Sequence, residues 1–283
     1  MANRLAEDPA VRVLVLEAGQ TDDFLSSQAP GLMMMMIGSE NDWRLQTMPQ
    51  PGMNDHRMHQ PRGKMLGGSS AMNAMMYHRG AASDYDEWEK TLGNEGWSYK
   101  DCLPYFKKSE GFNDPDLPPT HPQGPMTNRI RKPKYETFEL EFHGTEGPWQ
   151  VSFHSLLEIS KKFIEAALEE GIAFNKDFNG KSTLGTNKMQ TFIQRDAVRS
   201  SLSRAFLSKD VVPGGRPSKR GTIRVVLKAT VSRILVHEKR GQKVAYGIEF
   251  LDDKKGKSPR RLEVDGNGVV KLNPLSNCYK TTP

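Results

Sequence analysis

The apolar run at residues 11–16, VRVLVL, followed by Glu17, constrains the fold more than any other feature of this sequence. A short, nearly continuous apolar run is typical of a parallel strand that is buried on both faces. Residues 2–7 have a helical pattern, and Pro9 marks the break between that helix and the run. The chain therefore opens with the pattern of a short helix followed by a buried parallel strand.

The composition is consistent with one large domain or two ordinary ones. The chain has 283 residues, of which 36% are hydrophobic, and a mean hydropathy of −0.64. It contains no apolar run of about 18 residues, so we expect no transmembrane segment. No basic stretch followed by an apolar one opens the chain, so no secretory signal is visible. Two cysteines, Cys102 and Cys278, give no metal-ligand spacing, and we assign no metal site.

Glu17 ends the predicted strand, where an acidic residue can have a specific role. In dinucleotide-binding folds, an acidic side chain at this position reaches the adenosine ribose, about 20 residues after a glycine-rich loop. Only sixteen residues precede Glu17, and none of them is glycine. The first strand and the phosphate-binding turn of such a fold therefore cannot be placed in this chain. Taken alone the signal is weak, because many α/β sheets end a strand with Glu.

The segment at residues 61–80, PRGKMLGGSSAMNAMMYHRG, is the most informative part of the chain. The pair Gly67 and Gly68 allows the backbone to approach a ligand closely. Ser69 and Ser70, followed by an apolar helical pattern, predict the start of a helix that could favour a phosphate or an electron-rich ring. From GGSS alone, a plain Gly-Gly turn before a capped helix is the favoured interpretation. Eleven of the 14 methionines lie at residues 33–76, where they either fill an irregular core or pack against a flat ligand.

A longer pattern resembles the first signature of the glucose–methanol–choline (GMC) flavoprotein oxidoreductases. It comprises Gly63, Lys64, Leu66, Gly67, Gly68, Ser69, Ser70, Asn73, Tyr77, Gly80 and Asp86. Further segments are similar to the same family, among them residues 2–19, 42–50, 97–110, 143–151 and 177–180. The resemblance covers residues 2–264, which correspond to the N-terminal portion of aryl-alcohol oxidase and choline dehydrogenase-like members.

The resemblance implies an α/β fold: a truncated Rossmann-like FAD-binding domain with part of an α+β substrate-binding domain. We expect residues 1–128 to form an FAD-binding part that lacks the first strand and the glycine loop. Residues 129–195 would form a partial substrate domain, and residues 196–264 would return to the FAD-binding domain. Residues 265–283 resemble nothing in the family and offer little to bury, so we expect an aberrant, disordered tail.

The resemblance also implies which residues contact FAD. They are Glu17 at the adenosine ribose; Met65, Gly67, Gly68, Ser69 and Ser70 at the pyrophosphate and flavin; Asn73, Ala74, Met75 and Met76 along the isoalloxazine; and Val231 at the adenine. Some members tether the flavin through a His at the position of Met72. We therefore expect FAD to be non-covalent, and weakly held or absent in this chain.

No catalytic residue is assigned. The family oxidises alcohols by hydride transfer to the flavin, with a His base and a His or Asn partner near the C-terminus. None of the seven histidines lies in that context, and His78, beside the signature, is more simply a polar residue at a helix end. We expect a fragment of an oxidoreductase acting on CH–OH groups of small-molecule alcohols, inactive alone. The alternative is a catalytically dead nucleotide-binding or interaction module.

Residues 199–261 form a basic block, with 17 Lys and Arg against 5 Asp and Glu. Such a block could bind a polyanion. No aromatic residues interleave with the charges as stacking platforms would, and the charges alternate with Val, Ile and Leu. We therefore expect a solvated hairpin region and no nucleic-acid partner. Residues 222–251 are predicted to contain three strands with a turn at residues 240–242.

Two helices are predicted in the middle of the chain. Residues 155–170 should form one, capped by Ser155 and Glu158 and ended at Gly171. Its packing face should contain Leu156, Ile159, Phe163 and Ala167, at three- and four-residue spacing. Residues 195–207 should form the other.

Overall fold

The structure, a computed structural model, describes residues 1–113, 134–194, 196–207, 223–252, 258–264 and 270–274. The helices are α1 (Ala2–Leu5), α2 (Leu25–Gln28), α3 (Ala82–Lys90), α4 (Tyr99–Ser109), α5 (Glu158–Glu169) and α6 (Leu202–Phe206). The strands are β1 (Val13–Glu17), β2 (Leu45–Gln46), β3 (His59–Gln60), β4 (Glu110–Phe112), β5 (Trp149–Val151), β6 (Ile223–Leu227), β7 (Ala229–Lys239), β8 (Gln242–Asp252), β9 (Ser258–Val264) and β10 (Val270–Pro274). Short 3₁₀ helices occupy Pro30–Met36, Pro51–Met53, Gly68–Ala71 and Leu140–Phe142.

The chain divides into two compact units. The first comprises residues 1–22, 37–68 and 207–283, and the second comprises residues 23–36 and 69–206. This division differs from the sequence-based boundaries, because the described residues 23–36 and 69–113, expected in the FAD-binding part, belong to the second unit. The functional assignment of the domains stays a prediction.

In the first unit, β1 and β6 form a parallel pair in which Val13 lies opposite Ile223 and Glu17 opposite Leu227. The parallel strand predicted at residues 11–16 is therefore confirmed, although its residues are partly rather than fully buried. Apolar residues gather around the pair: Ala6, Leu66, Ile223 and Val225, with Val13, Val15, Leu207 and Leu227 at the margin. This small core fixes the end of β1.

Strands β7 to β10 form an antiparallel sheet in the order β10-β9-β8-β7. The three strands and the turn predicted at residues 222–251 are confirmed as β6, β7 and β8, with Arg240 and Gly241 between β7 and β8. Within the expected tail, the segment Val270–Pro274 is a strand paired with β9, so these five residues are not irregular. The other tail residues, 265–269 and 275–283, lie outside the described residues.

The second unit has a core of Met75, Tyr77, Phe112, Val151, Phe153, Phe192 and Ile193. Helix α5 begins at Glu158 after Leu157, without a side-chain cap, so the expected capping box of Ser155 and Glu158 is wrong. Gly171 has φ +84°, and the amide of Ile172 bonds to the carbonyl of Ala167, which confirms the predicted helix end.

The second predicted helix is shorter than expected. Of the predicted residues 195–207, only Leu202–Phe206 form a helix, and residue 195 lies outside the described residues. Among the described residues, no helix is long and apolar enough to cross a membrane.

Candidate functional site

Glu17 lies at the carboxyl end of β1, where ligands bind in parallel sheets. The Gly19 amide donates a hydrogen bond of 2.8 Å to its Oε1. Burial raises the pKa of the Glu17 carboxyl, although the amides of Gly19 and Ala18 and the positive charge of Lys64 act in the opposite direction. The side chain is thus held in place by the turn that follows its own strand.

The backbone of the glycine segment crosses directly over the end of β1. A Cβ atom added at Gly19 would lie 1.9 Å from the carbonyl oxygen of Lys64, so only glycine fits there. The Leu66 amide donates 2.8 Å to the carbonyl of Gln20, and Met65 is fully buried. Within the first unit, the residues after Glu17 therefore contact the backbone on both sides of Met65.

Gly67 and Gly68 turn the chain sharply after Met65. Their φ angles are +85° and +54°, in the left-handed region that favours glycine. The Gly68 amide bonds to the Met65 carbonyl at 2.8 Å, and a Cβ added at Gly68 would meet nothing within 4 Å. The open space above Gly68 is the kind of surface to which a ligand can approach closely.

The helix predicted to begin at Ser69 and Ser70 is not formed, and that expectation is wrong. The structure has only a 3₁₀ helix at Gly68–Ala71. It cannot continue because the Tyr77 amide, which a longer helix would bond to Asn73, bonds to the Gln190 carbonyl instead. Because the macrodipole of so short a helix is small, a phosphate site based on the dipole is not supported here.

In the second unit, Arg199 organises the residues that follow this turn. Its guanidinium Nη1 donates to the Asn73 carbonyl at 2.7 Å, to Asn73 Oδ1 at 2.9 Å and to the Ser70 carbonyl at 3.4 Å. The Leu202 amide donates 2.9 Å to Ser70 Oγ. The Asn73 amide donates to the Ser69 carbonyl at 2.9 Å. Residues 199–202 therefore hold Ser70 and Asn73, and the backbone amide of Asn73 in turn holds Ser69.

The segment at residues 74–76 continues along the same surface. Ala74 is exposed, Met75 is buried with φ +62°, and Met76 is 58% exposed. The Phe192 amide donates 2.7 Å to the Met75 carbonyl, which fixes the segment against residues 190–193. The methionines divide by burial: Met36, Met65, Met72 and Met75 fill core positions, whereas Met76 and others are exposed.

Val231 lies in β7 of the first unit, opposite Phe250, and is 43% exposed. The Lys228 amide just before β7 donates 2.9 Å to the Gly19 carbonyl. Strand β7 therefore starts beside the turn that holds Glu17. Val231 is the third residue of that strand.

Sequence reasoning did not find a buried polar cluster in the second unit. Arg79 Nη2 lies 2.6 Å from Glu110 Oε2, while His143 contacts Glu110 Oε1 through Nδ1 at 2.8 Å and Asp177 Oδ2 through Nε2 at 2.7 Å. All four side chains are at most 2% exposed. The segment at residues 61–80 contains Arg79, but Glu110, the carboxylate that Arg79 pairs with, lies 31 residues away, so spacing gives no signal.

His78 lies beside a cavity of about 220 Å³ in the second unit, walled by aromatic residues that include Tyr85, Phe106, Trp149 and Phe192. Its Nδ1 accepts a 2.9 Å bond from the Gly80 amide. His78 is exposed and lies in a loop, not at a helix end as the sequence suggested. Among the described residues, no group of three or more His, Cys, Asp or Glu could hold a metal ion.

Comparisons with known proteins place the chain in a family. The model of the family described as GMC oxidoreductase matches residues 13–270, so the chain belongs to the GMC oxidoreductases. The fold is accordingly the mixed α/β FAD-binding fold that the resemblance implied. Membership also implies FAD as the cofactor.

Individual relatives are similar over most of this chain. An oxygen-dependent choline dehydrogenase from Pseudomonas savastanoi pv. phaseolicola is 36% identical over 264 residues, which are 89% of this chain and 40% of that protein. An FAD-dependent oxidoreductase from Chaetomium thermophilum is 30% identical with a TM-score of 0.74, covering 93% of this chain and 41% of that one. Pyridoxine 4-oxidase from Mesorbium loti, 24% identical with a TM-score of 0.74 over 93% of this chain and 45% of that one, shares the fold. The chain spans about two fifths of the length of the relatives it matches.

The described residues fit FAD within each unit. In the first unit, Gly68 has a left-handed backbone with open space where a Cβ would lie, and Glu17 lies at the end of β1. In the second unit, the exposed segment of Asn73, Ala74 and Met76 offers an amide side chain and an apolar surface, which suit a flat heteroaromatic ring. The residues of the first unit therefore suit a nucleotide, and those of the second unit suit a ring system.

Proposed function

We propose that the chain is the cofactor-binding portion of an FAD-dependent oxidoreductase that acts on the CH–OH group of small-molecule alcohols. The observation that carries the proposal is the crossing of Lys64 over Gly19, which ties the glycine segment to the end of β1 beside Glu17. The family match and the similarity to choline dehydrogenases support the reaction class.

The proposed contacts are those of the sequence analysis. In the first unit, we assign Glu17 to the adenosine ribose, Met65, Gly67 and Gly68 to the pyrophosphate and flavin, and Val231 to the adenine. In the second unit, we assign Ser69 and Ser70 to the pyrophosphate and flavin, and Asn73, Ala74, Met75 and Met76 to the isoalloxazine. Bound FAD would supply the hydride acceptor for alcohol oxidation. The residues of this chain bind and orient it.

We further propose that the FAD is non-covalent and weakly held, and that this chain alone does not turn over an alcohol. Met72, where some family members carry a tethering His, is 6% exposed and carries a thioether that cannot form a histidyl link. The chain spans only 40% of that choline dehydrogenase, so the contacts proposed here are those of the matched part alone. Fewer contacts imply lower affinity.

The test is a titration of the purified chain against FAD, followed by flavin fluorescence. We expect a Kd of about 10–100 μM, which corresponds to about −6 kcal/mol, and no oxidation of choline or an aryl alcohol with a dye acceptor. The Glu17→Gln variant should bind several-fold more weakly, whereas the Glu238→Gln variant, with the same charge change on exposed β7, should bind as the wild type. A stoichiometric yellow preparation would contradict weak binding. No binding at millimolar FAD would contradict the proposed function.

A further inference from the structure

We infer that Arg199 is a positioning residue that fixes the side-chain amide of Asn73 in one orientation. In this orientation the Nδ2 donors of Asn73 are directed to an acceptor on the bound ligand. The inference rests on the proposed function for the identity of that ligand, the flavin of FAD. It goes beyond that proposal because it adds a residue 126 positions away in the sequence and gives Asn73 a defined chemical role.

Arg199 is itself rigidly placed. It is 1% exposed, and its Nε donates 2.7 Å to the Ser27 carbonyl. Its backbone amide donates 2.9 Å to the Gln28 carbonyl. A buried guanidinium holds its donors in a fixed planar arrangement, so Nη1 is already placed to donate to Asn73.

The side-chain amide of Asn73 can have only one orientation in this environment. Its Oδ1 accepts 2.9 Å from Arg199 Nη1 and 3.0 Å from the Met75 amide. Both partners are donors and neither can accept, so the atom facing them must be the oxygen. The Nδ2 group, with two N–H donors, is then the opposite end of an exposed side chain.

Nδ2 donors on the 73–76 surface favour an electron-rich ligand. The carbonyl oxygens and ring nitrogens of an isoalloxazine are acceptors of this kind, and they gain negative charge when the ring is reduced. A donor that is already oriented costs no reorganisation when the ligand binds. A hydrogen bond lost here leaves an unpaired acceptor in the complex.

The sharpest test is the Asn73→Asp variant. An aspartate keeps an oxygen for Arg199 and Met75, and adds a negative charge beside the guanidinium, so folding should be preserved or strengthened. The outward N–H donors become an acceptor. We expect an unchanged or higher Tm together with a loss of FAD affinity of about tenfold or more. The control is Asn94→Asp, the same change in an exposed loop of the same unit, which should alter neither.

A second measurement needs no ligand and concerns Arg199 directly. Hydrogen exchange of the Met75 amide should accelerate about tenfold or more in Arg199→Met, because the acceptor Asn73 Oδ1 loses its anchor. Arg199→Lys should restore part of the protection. Exchange within helix α5 should remain as in the wild type, which separates local positioning from general unfolding.

Each outcome decides one of the two proposals. If the folded Asn73→Asp variant binds FAD as tightly as the wild type, or if Met75 exchange is unchanged in Arg199→Met, the role of Arg199 is refuted. The same holds if α5 and Met75 lose protection equally, because Arg199 is then only a structural residue. If the wild type binds no FAD, the proposed function fails, while the Met75 exchange still decides the orientation of Asn73.

Discussion

His143 carries a positive charge in the interior because both of its ring nitrogens face carboxylates. Its Nδ1 contacts Glu110 and its Nε2 contacts Asp177, and all three side chains are at most 1% exposed. Each nitrogen must therefore donate, which requires the imidazolium. The pKa of His143 is raised: burial lowers it, but the hydrogen bonds and charges of Asp177 and Glu110 outweigh burial. Arg79 balances the second negative charge.

This arrangement predicts a specific pH dependence of stability. Because the folded pKa of His143 lies above its ordinary value of 6.5, its contribution is complete below about pH 6.5 and is lost as pH rises through the folded pKa. The pKa of Asp177 is lowered because the bonds and charge of His143 outweigh burial, so its contribution is lost only as pH falls below about 3.8. We expect a plateau of stability between these limits.

The variant His143→Gln tests the prediction. It should be destabilised by about 3–5 kcal/mol on the plateau, because it leaves a buried carboxylate without its cation. The difference from the wild type should shrink as pH rises above 6.5. Urea unfolding from pH 4.5 to 9 measures it, with His237→Gln on exposed β7 as the control. A difference that stays constant or grows with pH would rule out the imidazolium.

Gly19 gives a second prediction at the scale of the residue. In Gly19→Ala, the new Cβ would lie 1.9 Å from the Lys64 carbonyl oxygen, so the two crossing backbone segments must separate. We expect a loss of about 3 kcal/mol or more in the free energy of unfolding. Gly52→Ala, in the same unit, places a Cβ where nothing lies within 4 Å and should change stability by about 0.5 kcal/mol or less. Equal stabilities of the two variants would show that the crossing is not tight.

Single residues were predictable from the sequence only where the signal is local. The place of Glu17 at a strand end was predictable because it ends a short apolar run. The sharp turn at Gly67 and Gly68 was predictable because adjacent glycines mark such turns. Arg199 and His143 were not found, because their partners are distant in the sequence and nothing in their own neighbourhood distinguishes a buried cation from a surface one. The contacts of Arg199 with Ser27 and Asn73 span 172 and 126 residues.

Helix α5 shows how a face can be misjudged at the scale of the element. Of the predicted packing face, Ala167 is buried at 8%, whereas Ile159 and Phe163 are 70% and 73% exposed. Ile164, which was not on the predicted face, is 4% exposed. The helix has apolar residues on two overlapping stripes, so periodicity alone does not choose between them. The unit's tertiary packing selected the stripe of Ile164 and Ala167.

The two stripes can be distinguished by paired substitutions on α5. Ile164→Ala removes a buried side chain and should cost about 2–4 kcal/mol. Phe163→Ala removes a larger side chain, but one that is 73% exposed, and should cost about 0.5 kcal/mol or less. Urea unfolding of the two variants measures the difference. A larger loss for Phe163→Ala would mean that the sequence-based face was right.

Other elements were also predictable only where the interactions that form them are local in the sequence. The β7–β8 hairpin was predictable because alternating strands and a Gly-containing turn are local signals. The helix after Ser70 was not, because Arg199 takes the Asn73 carbonyl and Gln190 takes the Tyr77 amide. These long-range bonds replace the ones a helix would have made. A site segment held from outside is thus irregular where the sequence favours a helix.

At the scale of the whole molecule, the charge distribution suggests a polyanion-binding surface as an alternative, and the described residues show how part of the basic block is used. The basic block at residues 199–261 includes Arg199, which is buried, and Arg261, which pairs with Glu249 at 2.7 Å and Glu263 at 3.5 Å. Residues 208–222 and 253–257 of the block lie outside the described residues. The charges on β7 and β8 alternate with exposed Ile234 and Val236.

Heparin chromatography tests this alternative on the intact chain. A net charge of +6 will hold the chain on any cation exchanger at neutral pH and low salt, so retention on heparin alone is not informative. A true polyanion site neutralises several anionic groups at once, and its affinity then falls steeply between about 50 and 200 mM salt. We expect elution from heparin at below about 200 mM NaCl, at the same salt as from a sulfopropyl resin.

Elution from heparin at clearly higher salt than from the resin would mean that the block is arranged to bind a polyanion. In that case the Lys239→Ser/Lys243→Ser double variant should elute earlier, because the hairpin would carry part of the site, whereas general charge attraction would shift both resins equally.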